Sequence, residues 1–515
     1  MNAQVERRFD RLVPVLVTAL VMLVAMMTIT TWPVGVMEDD GIYTVLARSL
    51  ATGEGFRLTN LPGSPNATHY PPGYPFVLSL LWRVSPAFPG NIVVFKFANA
   101  VFLGLAALGT WYFAHARLGM SRLSAGLVAI LSTISIVVLL VTGLVLSEPL
   151  FLALLMASLI VAERTADTGD WRLAVLAGAL LGALALVRTL GALAVPAAVL
   201  VLLLKPHVRA AIVLGVVAAL FVVPWQLWVG AHHHEVAPVL MGKFGAYGPW
   251  MREGYESGGW DFARNVVGRN LRGLHGMLSY MLAPVPSQGL RVLALAVVVT
   301  LGLAGVWSLV RRMPVSVIFL ALYIGTVLLW PFDANRFLWA IWPLLVIAVW
   351  NGANLAWQWK PSGRARWLRT AALVLVLVPL AGFLAYNARG YRQQWWASIQ
   401  SQAGGRARAV VEWVNRFTAP EDVIATENDL IVHLYTGRRA TPVSSFLAAH
   451  RLRPLTDADD LDALQRIITT YEPRYVIVMN QQSVKSAEFL ADGNPATLRR
   501  VGKLPDAFIY ERVSP

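Results

Sequence analysis

Residues 12–32 read LVPVLVTALVMLVAMMTITTW and run directly into Pro33-Val34-Gly35-Val36-Met37-Glu38-Asp39-Asp40-Gly41. An apolar stretch of about 20 residues is the length a helix needs to cross the hydrocarbon core of a bilayer. The start that precedes it, Met1 to Arg11, is basic. A cleaved signal peptide is the rival reading, but the run is long and lacks a small-residue cleavage pattern. It therefore reads as a first, retained transmembrane helix that delivers three carboxylates to the membrane surface.

The same reading repeats along the chain. Of 515 residues, 57% are hydrophobic and 14% charged, more apolar surface than a soluble domain can hide behind a polar shell. Spans are expected at about 12–32, 91–114, 122–142, 146–162, 172–188, 189–204, 208–229, 289–310, 315–331, 337–355 and 370–387. One set of short connections carries Arg7, Arg8 and Arg11, then Arg117 and Arg122, Arg164 and Arg172, Lys205 and Arg209, Arg311 and Arg312, and Lys360, Arg364, Arg366 and Arg369. The short connections of the other set carry almost no basic residue. Short Lys/Arg-rich loops stay in the cytoplasm, so the amino terminus is expected inside and the carboxy-terminal region outside, in the periplasm or beyond the cell. The net charge of +14 is thereby spent on topology rather than on a nucleic-acid stripe. With no cysteine, disulfides and thiolate metal sites are excluded.

Three sizeable segments fall outside: 33–90, 230–288 and 389–515. The first two are loops of a transmembrane domain spanning 1–388. The last carries an amphipathic helical pattern over Arg406 to Phe417 and two short buried-strand patterns, Asp422 to Thr426 (DVIAT) and Tyr475 to Met479 (YVIVM), which read as a small α/β domain. No internal repeat stands out, and the chain has no inverted halves of the transporter kind.

Several residues look chemical. Glu38, Asp39 and Asp40 repel one another and suit the holding of a base, a cation or a sugar hydroxyl; helix capping before Ile42 to Leu50 explains an acid there equally well. His69-Tyr70-Pro71-Pro72-Gly73-Tyr74 is a rigid stretch whose tyrosines fit a sugar, a headgroup or an interfacial belt. Lys96 lies within the second span, where an ionisable group faces an interior cavity or snorkels outward. Glu148 opens a span in Ser147-Glu148-Pro149, as a capping acid would. Arg188 and Arg336 are the only basic residues in the short outer turns, against the charge bias. They point to a local anion, phosphate above all, or to ion pairs with Glu148 or Asp333. His232-His233-His234 sits just beyond a span and reads as surface loop rather than metal site. All of Asp39, Asp40, His69, Lys96, Glu148, Arg188, Asp333 and Arg336 fall at the outer face, although the sides were assigned from charges elsewhere.

Glu38-Asp39-Asp40-Gly41, followed by Leu46-Ala47-Arg48-Ser49-Leu50, Gly53-Glu54-Gly55-Phe56 and Tyr70-Pro71-Pro72-Gly73-Tyr74-Pro75, resembles the GT-C glycosyltransferases. The likeness is to the bacterial branch related to protein O-mannosyltransferases and lipid A aminoarabinose transferase. Ser147-Glu148-Pro149-Leu150, Leu186-Val187-Arg188-Thr189 and Arg336-Phe337 with Trp342-Pro343 resemble later landmarks of that family, so the likeness covers about residues 10–350. Glu148 stands where Asp is common, and Thr189 where proline is common. The resemblance implies a polytopic helical membrane fold of about 11 spans, a polyprenyl-phosphate sugar as donor, inversion at the anomeric carbon and a first-loop carboxylate as base.

The expected activity is transfer of a hexose or pentose from that lipid donor to an acceptor hydroxyl of a glycan, lipid or protein at the periplasmic face of the inner membrane. Asp39 or Asp40 would be the base, oriented by Glu38. Arg336, Arg188 and Lys96 would meet the donor phosphate, and His69, Tyr70, Tyr74, Glu148 and Asp333 would line the substrate site. Tyr247, Trp250, Tyr255 and Trp260 of the second outer segment could stack on sugar and cover the site. The scheme demands no metal and no cofactor besides the lipid-linked sugar. The competing reading is a transporter or flippase for a polyprenyl-linked lipid, which calls for charge near mid-bilayer and a path to both faces.

Overall fold

The structure, a computed structural model, describes residues 3–359, 366–493 and 497–513. Lys360 and Arg364 of the predicted inner connections lie outside them. Each of the eleven expected spans is helical. Five helices are long and apolar enough to cross a membrane: Ile92–Arg117, Glu148–Thr168, Val208–His232, Gln288–Leu309 and Val374–Arg392. A sixth is the pair Arg122–Thr133 and Ile136–Thr142, bent by 57°. The last turn of Asn387 and Tyr391 repairs that break, Asn387 Oδ1 accepting the Ile136 N–H at 2.7 Å and the Tyr391 hydroxyl donating to the Ile134 carbonyl at 2.7 Å. Backbone groups freed inside a membrane need such partners. Leu12–Met26, Trp171–Val187, Thr189–Leu204 and Pro314–Leu329 are shorter apolar helices, and Trp342–Gln358 completes the set.

The first helix, Ala3–Met26, stops six residues short of Trp32. Thr28, Thr30 and Thr31 are β-branched or β-favouring, and Trp32 precedes a proline, which disfavours helix there. The freed carbonyls of Thr30 and Trp32 accept from the Lys96 ammonium at 2.9 and 3.4 Å.

Four of the six predicted inner connections meet at one end. Asp167 pairs with Arg117 and with Lys205, the latter at 3.1 Å, and Arg117 Nε donates to the Arg312 carbonyl at 2.9 Å. Of the residues expected at the outer face, Asp39, Glu148, Arg188 and Arg336 gather at a different site, beneath the carboxy-terminal domain.

That domain holds a five-stranded sheet, with β1 (Val423–Thr426), β2 (Arg439–Thr441), β3 (Tyr475–Val478), β4 (Leu498–Leu504) and β5 (Ala507–Arg512) in the order β2-β1-β3-β5-β4. β1 pairs in parallel with β2 and β3, while β5 runs antiparallel to β3 and β4. β3 is buried on both faces, because Val410 and Val414 of the helix Trp395–Phe417 cover one side and Leu464, Ile468 and Ala487 the other. A continuous apolar run is the pattern such a strand requires.

The domain is docked onto the first outer segment through its helix Asp429–Thr436. Ala440 N–H donates to the Asn60 carbonyl at 2.7 Å, and Val34 N–H to the Tyr435 hydroxyl at 3.2 Å. Contact is close enough that a Cβ on Gly41 would lie 2.8 Å from Leu430 Cβ and 2.8 Å from Gly35 Cα.

Candidate functional site

The site is built on the turn after the first helix. Glu38 has φ 58° and ψ −66°, and the Asp39 N–H returns to the Met37 carbonyl at 2.7 Å. This is a γ-turn of the strained hand, a conformation that persists only where surroundings over-determine it. Asp40 supplies that constraint. Its Oδ2 and Oδ1 accept the Gly35 and Met37 N–H groups, each at 2.9 Å, and it is wholly buried. Burial pushes the Asp40 pKa up, against those two backbone bonds, and the neighbouring Asp39 charge adds a smaller push the same way. With Asp40 turned inward to close the loop, Asp39 points the other way. Its Oδ1 accepts from the Tyr70 hydroxyl at 2.6 Å, and its Oδ2 from Arg336 Nη2 at 2.6 Å.

Arg336 also reaches Glu148. Its Nε donates to Glu148 Oε1 at 2.6 Å, and Arg188 Nη1 approaches the same oxygen at 2.9 Å. Glu148 is the first residue of its helix, followed by Pro149 in the first turn, so both the helix dipole and the proline favour it there. Ser147 Oγ accepts from Arg188 at 3.1 Å and shares a hydrogen bond with the Tyr43 hydroxyl at 3.1 Å. Arg188 is the extended residue that ends the helix Trp171–Val187. The result is a row, Asp39, Arg336, Glu148, Arg188, in which two carboxylates and two guanidinium groups alternate. Of the ion pairs expected for these arginines, the one with Glu148 is made by both.

A cavity of about 320 Å³ opens beside this row. Glu38, Asp39, Tyr43, His69, Tyr70, Arg188, Lys243, Asp333 and Arg336 are among its lining residues, with Tyr247, Trp330, Phe332 and Phe337 forming apolar wall. The volume is at the small end of the range for ligand sites, and aromatic walls with a few converging polar groups are their usual composition. Behind the wall, Phe332 stacks on Trp250 at 5.8 Å, and Trp250 on Phe446 of the outer domain at 5.2 Å. A larger concavity of about 470 Å³, at Arg474, Arg499, Glu511 and Arg512 of the outer domain, shares none of these residues.

Other expected site residues sit differently. His69 borders the cavity as a wall element: its Nδ1–H donates to the Gly245 carbonyl at 2.6 Å, and its ring lies 4.1 Å from that of Tyr247. Burial lowers its pKa to about 4, so it is neutral at pH 7. Tyr74 is buried behind the site, donating to Asn99 Oδ1 at 3.1 Å. Asp333 stands on the rim, 72% exposed, with Arg269 and Arg451 at 3.8 and 3.9 Å. Lys96 does not line the cavity. Its ammonium is held by Thr30 and Trp32 and by Gln400 Oε1 at 2.8 Å, tying the end of the first helix to the base of the outer domain. Of the aromatics in the second outer segment, Tyr247 faces the cavity, Trp250 is buried behind it, Tyr255 is 39% exposed and Trp260 is 87% exposed.

No group of three His, Asp or Glu residues placed to hold a metal ion occurs among the described residues. In the triple histidine, His232 pairs with Glu235 at 2.6 Å, and His233 bonds to the Gly230 carbonyl at 3.0 Å. Sequence reasoning did not single out Tyr43, Lys243, Phe332 or Asp429. None carried a signal: Lys243 is one of five basic residues in its segment, with Arg252, Arg264, Arg269 and Arg272.

No protein-family model matches the chain, and no curated protein matches it in sequence. Solved structures do match it in fold. ArnT from Cupriavidus metallidurans bound to undecaprenyl phosphate superposes with a TM-score of 0.54 at 13% identity, covering 96% of this chain and 97% of that one. The same protein in its apo state superposes with a TM-score of 0.52 at 12% identity, over the same shares. The chain shares the fold of ArnT over 96% of its length.

Proposed function

We propose that this chain is a membrane glycosyltransferase that moves a sugar from a polyprenyl-phosphate donor to an acceptor hydroxyl at the outer face, with inversion. The observation that carries the reading is the 2.6 Å pair between Asp39 and Arg336 on the wall of one cavity, which offers a carboxylate to take an acceptor proton and a guanidinium to meet a leaving phosphate. The likeness to a fold that binds undecaprenyl phosphate in ArnT supports the same donor class here.

Asp39 takes the proton of the acceptor hydroxyl as its oxygen bonds to the anomeric carbon. The bond from that carbon to the phosphate oxygen breaks, and the electron pair leaves with the polyprenyl phosphate. Arg336 and Arg188 offset the charge that grows there. Because phosphate and Asp39 compete for Arg336, donor binding weakens the ion pair that restrains Asp39, and the base is freed when the leaving group is seated. Asp40 shapes the turn and is not the base. Tyr70 orients Asp39 by donating to its other oxygen.

The test is transfer from a panel of radiolabelled undecaprenyl-phosphate sugars, together with binding of bare undecaprenyl phosphate to the full-length protein. Asp39→Asn is expected to cost on the order of a thousandfold in turnover with lipid binding retained. Arg336→Ala is expected to lose a hundredfold or so in turnover, and lipid affinity with it. Turnover that survives Asp39→Asn would sink the assignment of the base.

A further inference from the structure

Among the described residues Lys243 is the only lysine on the cavity wall, and its place is set from the outer domain. Its ammonium lies 2.9 Å from Asp429 Oδ1 and 3.4 Å from Glu38 Oε1. The lysine side chain is 10% exposed and that of Asp429 2%. Burial works against the ammonium, but the Asp429 and Glu38 carboxylates outweigh it and hold its pKa above the ordinary lysine value. The short helix Met241–Phe244 that carries it is wedged from the same direction, since a Cβ on Gly242 would overlap the Phe446 carbonyl. Both Asp429 and Phe446 belong to the outer domain.

An ammonium has three N–H donors. Asp429 and Glu38 take two, which leaves one for whatever enters the cavity. Two carboxylates about one ammonium make this corner locally negative, so a phosphate is drawn instead to Arg188 and Arg336. Side by side, the Lys243 donor and the exposed Glu38 carboxylate match the donor–acceptor pattern of neighbouring sugar hydroxyls. Resting on the functional reading above, we propose that Lys243 binds a hydroxyl oxygen of the donor's sugar, with Glu38 accepting from the adjacent hydroxyl. Asp429 of the outer domain is the positioning residue that aims Lys243, and the outer domain is thereby part of the sugar-binding site.

The experiment uses full-length protein in nanodiscs and a fluorescent polyprenyl phosphate as tracer. The tracer is displaced by bare undecaprenyl phosphate or by undecaprenyl phosphate carrying mannose, glucose or arabinose. Wild type is expected to prefer at least one glycosylated lipid over the bare one. Lys243→Met is expected to lower that preference about tenfold, as for one lost charge-assisted hydrogen bond, and to leave affinity for the bare lipid unchanged. Asp429→Asn, which touches no ligand, is expected to do the same, and Asp429→Glu to restore most of the preference. A merely structural role would move both affinities together. The proposal is overturned if Lys243→Met weakens the bare lipid as much as the glycosylated one, because Lys243 would then hold phosphate. It is equally overturned if no glycosylated lipid is preferred by wild type, or if the preference survives Lys243→Met, a result that stands even should Asp429→Asn fail to fold. Wild type that binds no undecaprenyl phosphate removes the functional reading itself, an outcome separable from the rest because Arg336→Ala then has nothing to lose.

Discussion

Two buried carboxylates of the same helix, Glu148 at its start beside two arginines and Glu163 further along beside one, are used in opposite ways. Glu163 Oε1 accepts from both the backbone N–H and the hydroxyl of Ser316, each at 2.8 Å, and Arg117 stands 3.7 Å away. Its bonds close the start of the helix Pro314–Leu329, which is what a carboxylate at a helix N-terminus does. Arg117 in turn is occupied by Asp167 and the Arg312 carbonyl. At that end the charges are consumed by backbone and by each other. Glu148 has the same burial, but its arginines border a cavity, and Arg336 is shared with Asp39 on a strained turn. An ion network is therefore informative about function only where one of its members faces open space and can exchange its partner for a ligand.

Converting each acid to its amide separates the two uses most widely. Glu148→Gln removes the charge that two guanidinium groups share, and breaking a buried network of this kind costs on the order of 3 kcal/mol. Turnover is expected to fall by a hundredfold or more, because Arg336 then closes more tightly on Asp39. Glu163→Gln keeps an oxygen that can accept from Ser316, and Arg117 retains Asp167. Stability should change by about 1 kcal/mol and turnover not at all. Parallel thermal-stability and transfer assays check the pair; equal losses of turnover would erase the distinction drawn above.

Glycines sharpen the same contrast at smaller effect. At Gly169, whose φ is +66°, an added Cβ would stand 2.6 Å from the His207 ring, and at Gly41 it would press on Leu430 and Gly35. Gly169→Ala and Gly41→Ala should each destabilise by roughly 1–3 kcal/mol, through strain and overpacking. Only Gly41→Ala is expected to lower turnover as well, because the push falls on the turn that aims Asp39. The measurement is turnover at a temperature where both variants remain folded.

Much of this architecture was legible in the sequence. The eleven apolar runs all fell on helix, though nothing marked the 36-residue helix Tyr247–Leu282 of the second loop, and Arg188 and Arg336 stood out by breaking the loop-charge pattern. DVIAT and YVIVM marked β1 and β3, since a strand covered on both faces must be continuously apolar. β4 escaped because Arg499, Arg500 and Lys503 give it the charged surface of an edge strand, and β2 because three residues carry no period. The choice between Asp39 and Asp40 was closed to sequence reasoning, since a single strained dihedral at Glu38 decides which carboxylate faces the cavity. Lys96 looked like a phosphate ligand because an intramembrane charge implies a polar partner. Its partners proved to be carbonyls exposed where the first helix ends early, together with Gln400, some 300 residues away in the chain. Lys243 and Asp429 meet only through docking of the outer domain, and no local pattern encodes that contact.

The docking seam supplies the mildest test. His69 and His433 are both buried, and burial, the largest cause in each case, lowers their pKa values to about 4. His433 lies in the helix packed on the first outer segment, its Nε2 3.4 Å from the Thr59 hydroxyl and its Nδ1–H donating to the Arg438 carbonyl at 3.0 Å. In the unfolded chain both imidazoles titrate near 6.5. Between pH 6.5 and 4 the unfolded state therefore binds protons that the folded state refuses, and stability falls as pH falls through that window. By pH 5 the loss amounts to on the order of 1–2 kcal/mol for each histidine. His433→Gln, which cannot take up a proton, should flatten its share of the slope between pH 7 and 5 in a thermal-stability titration, and His69→Gln likewise. The ion pairs of Asp167 with Arg117 and Lys205 involve no imidazole and should hold across the same range. The first region to loosen on acidification is then the contact between the outer domain and the turn of Asp39, to be read as earlier proteolysis near Asn60 and Arg438 than near Asp167. Cleavage that begins at the inner end instead would place the acid-labile contact elsewhere.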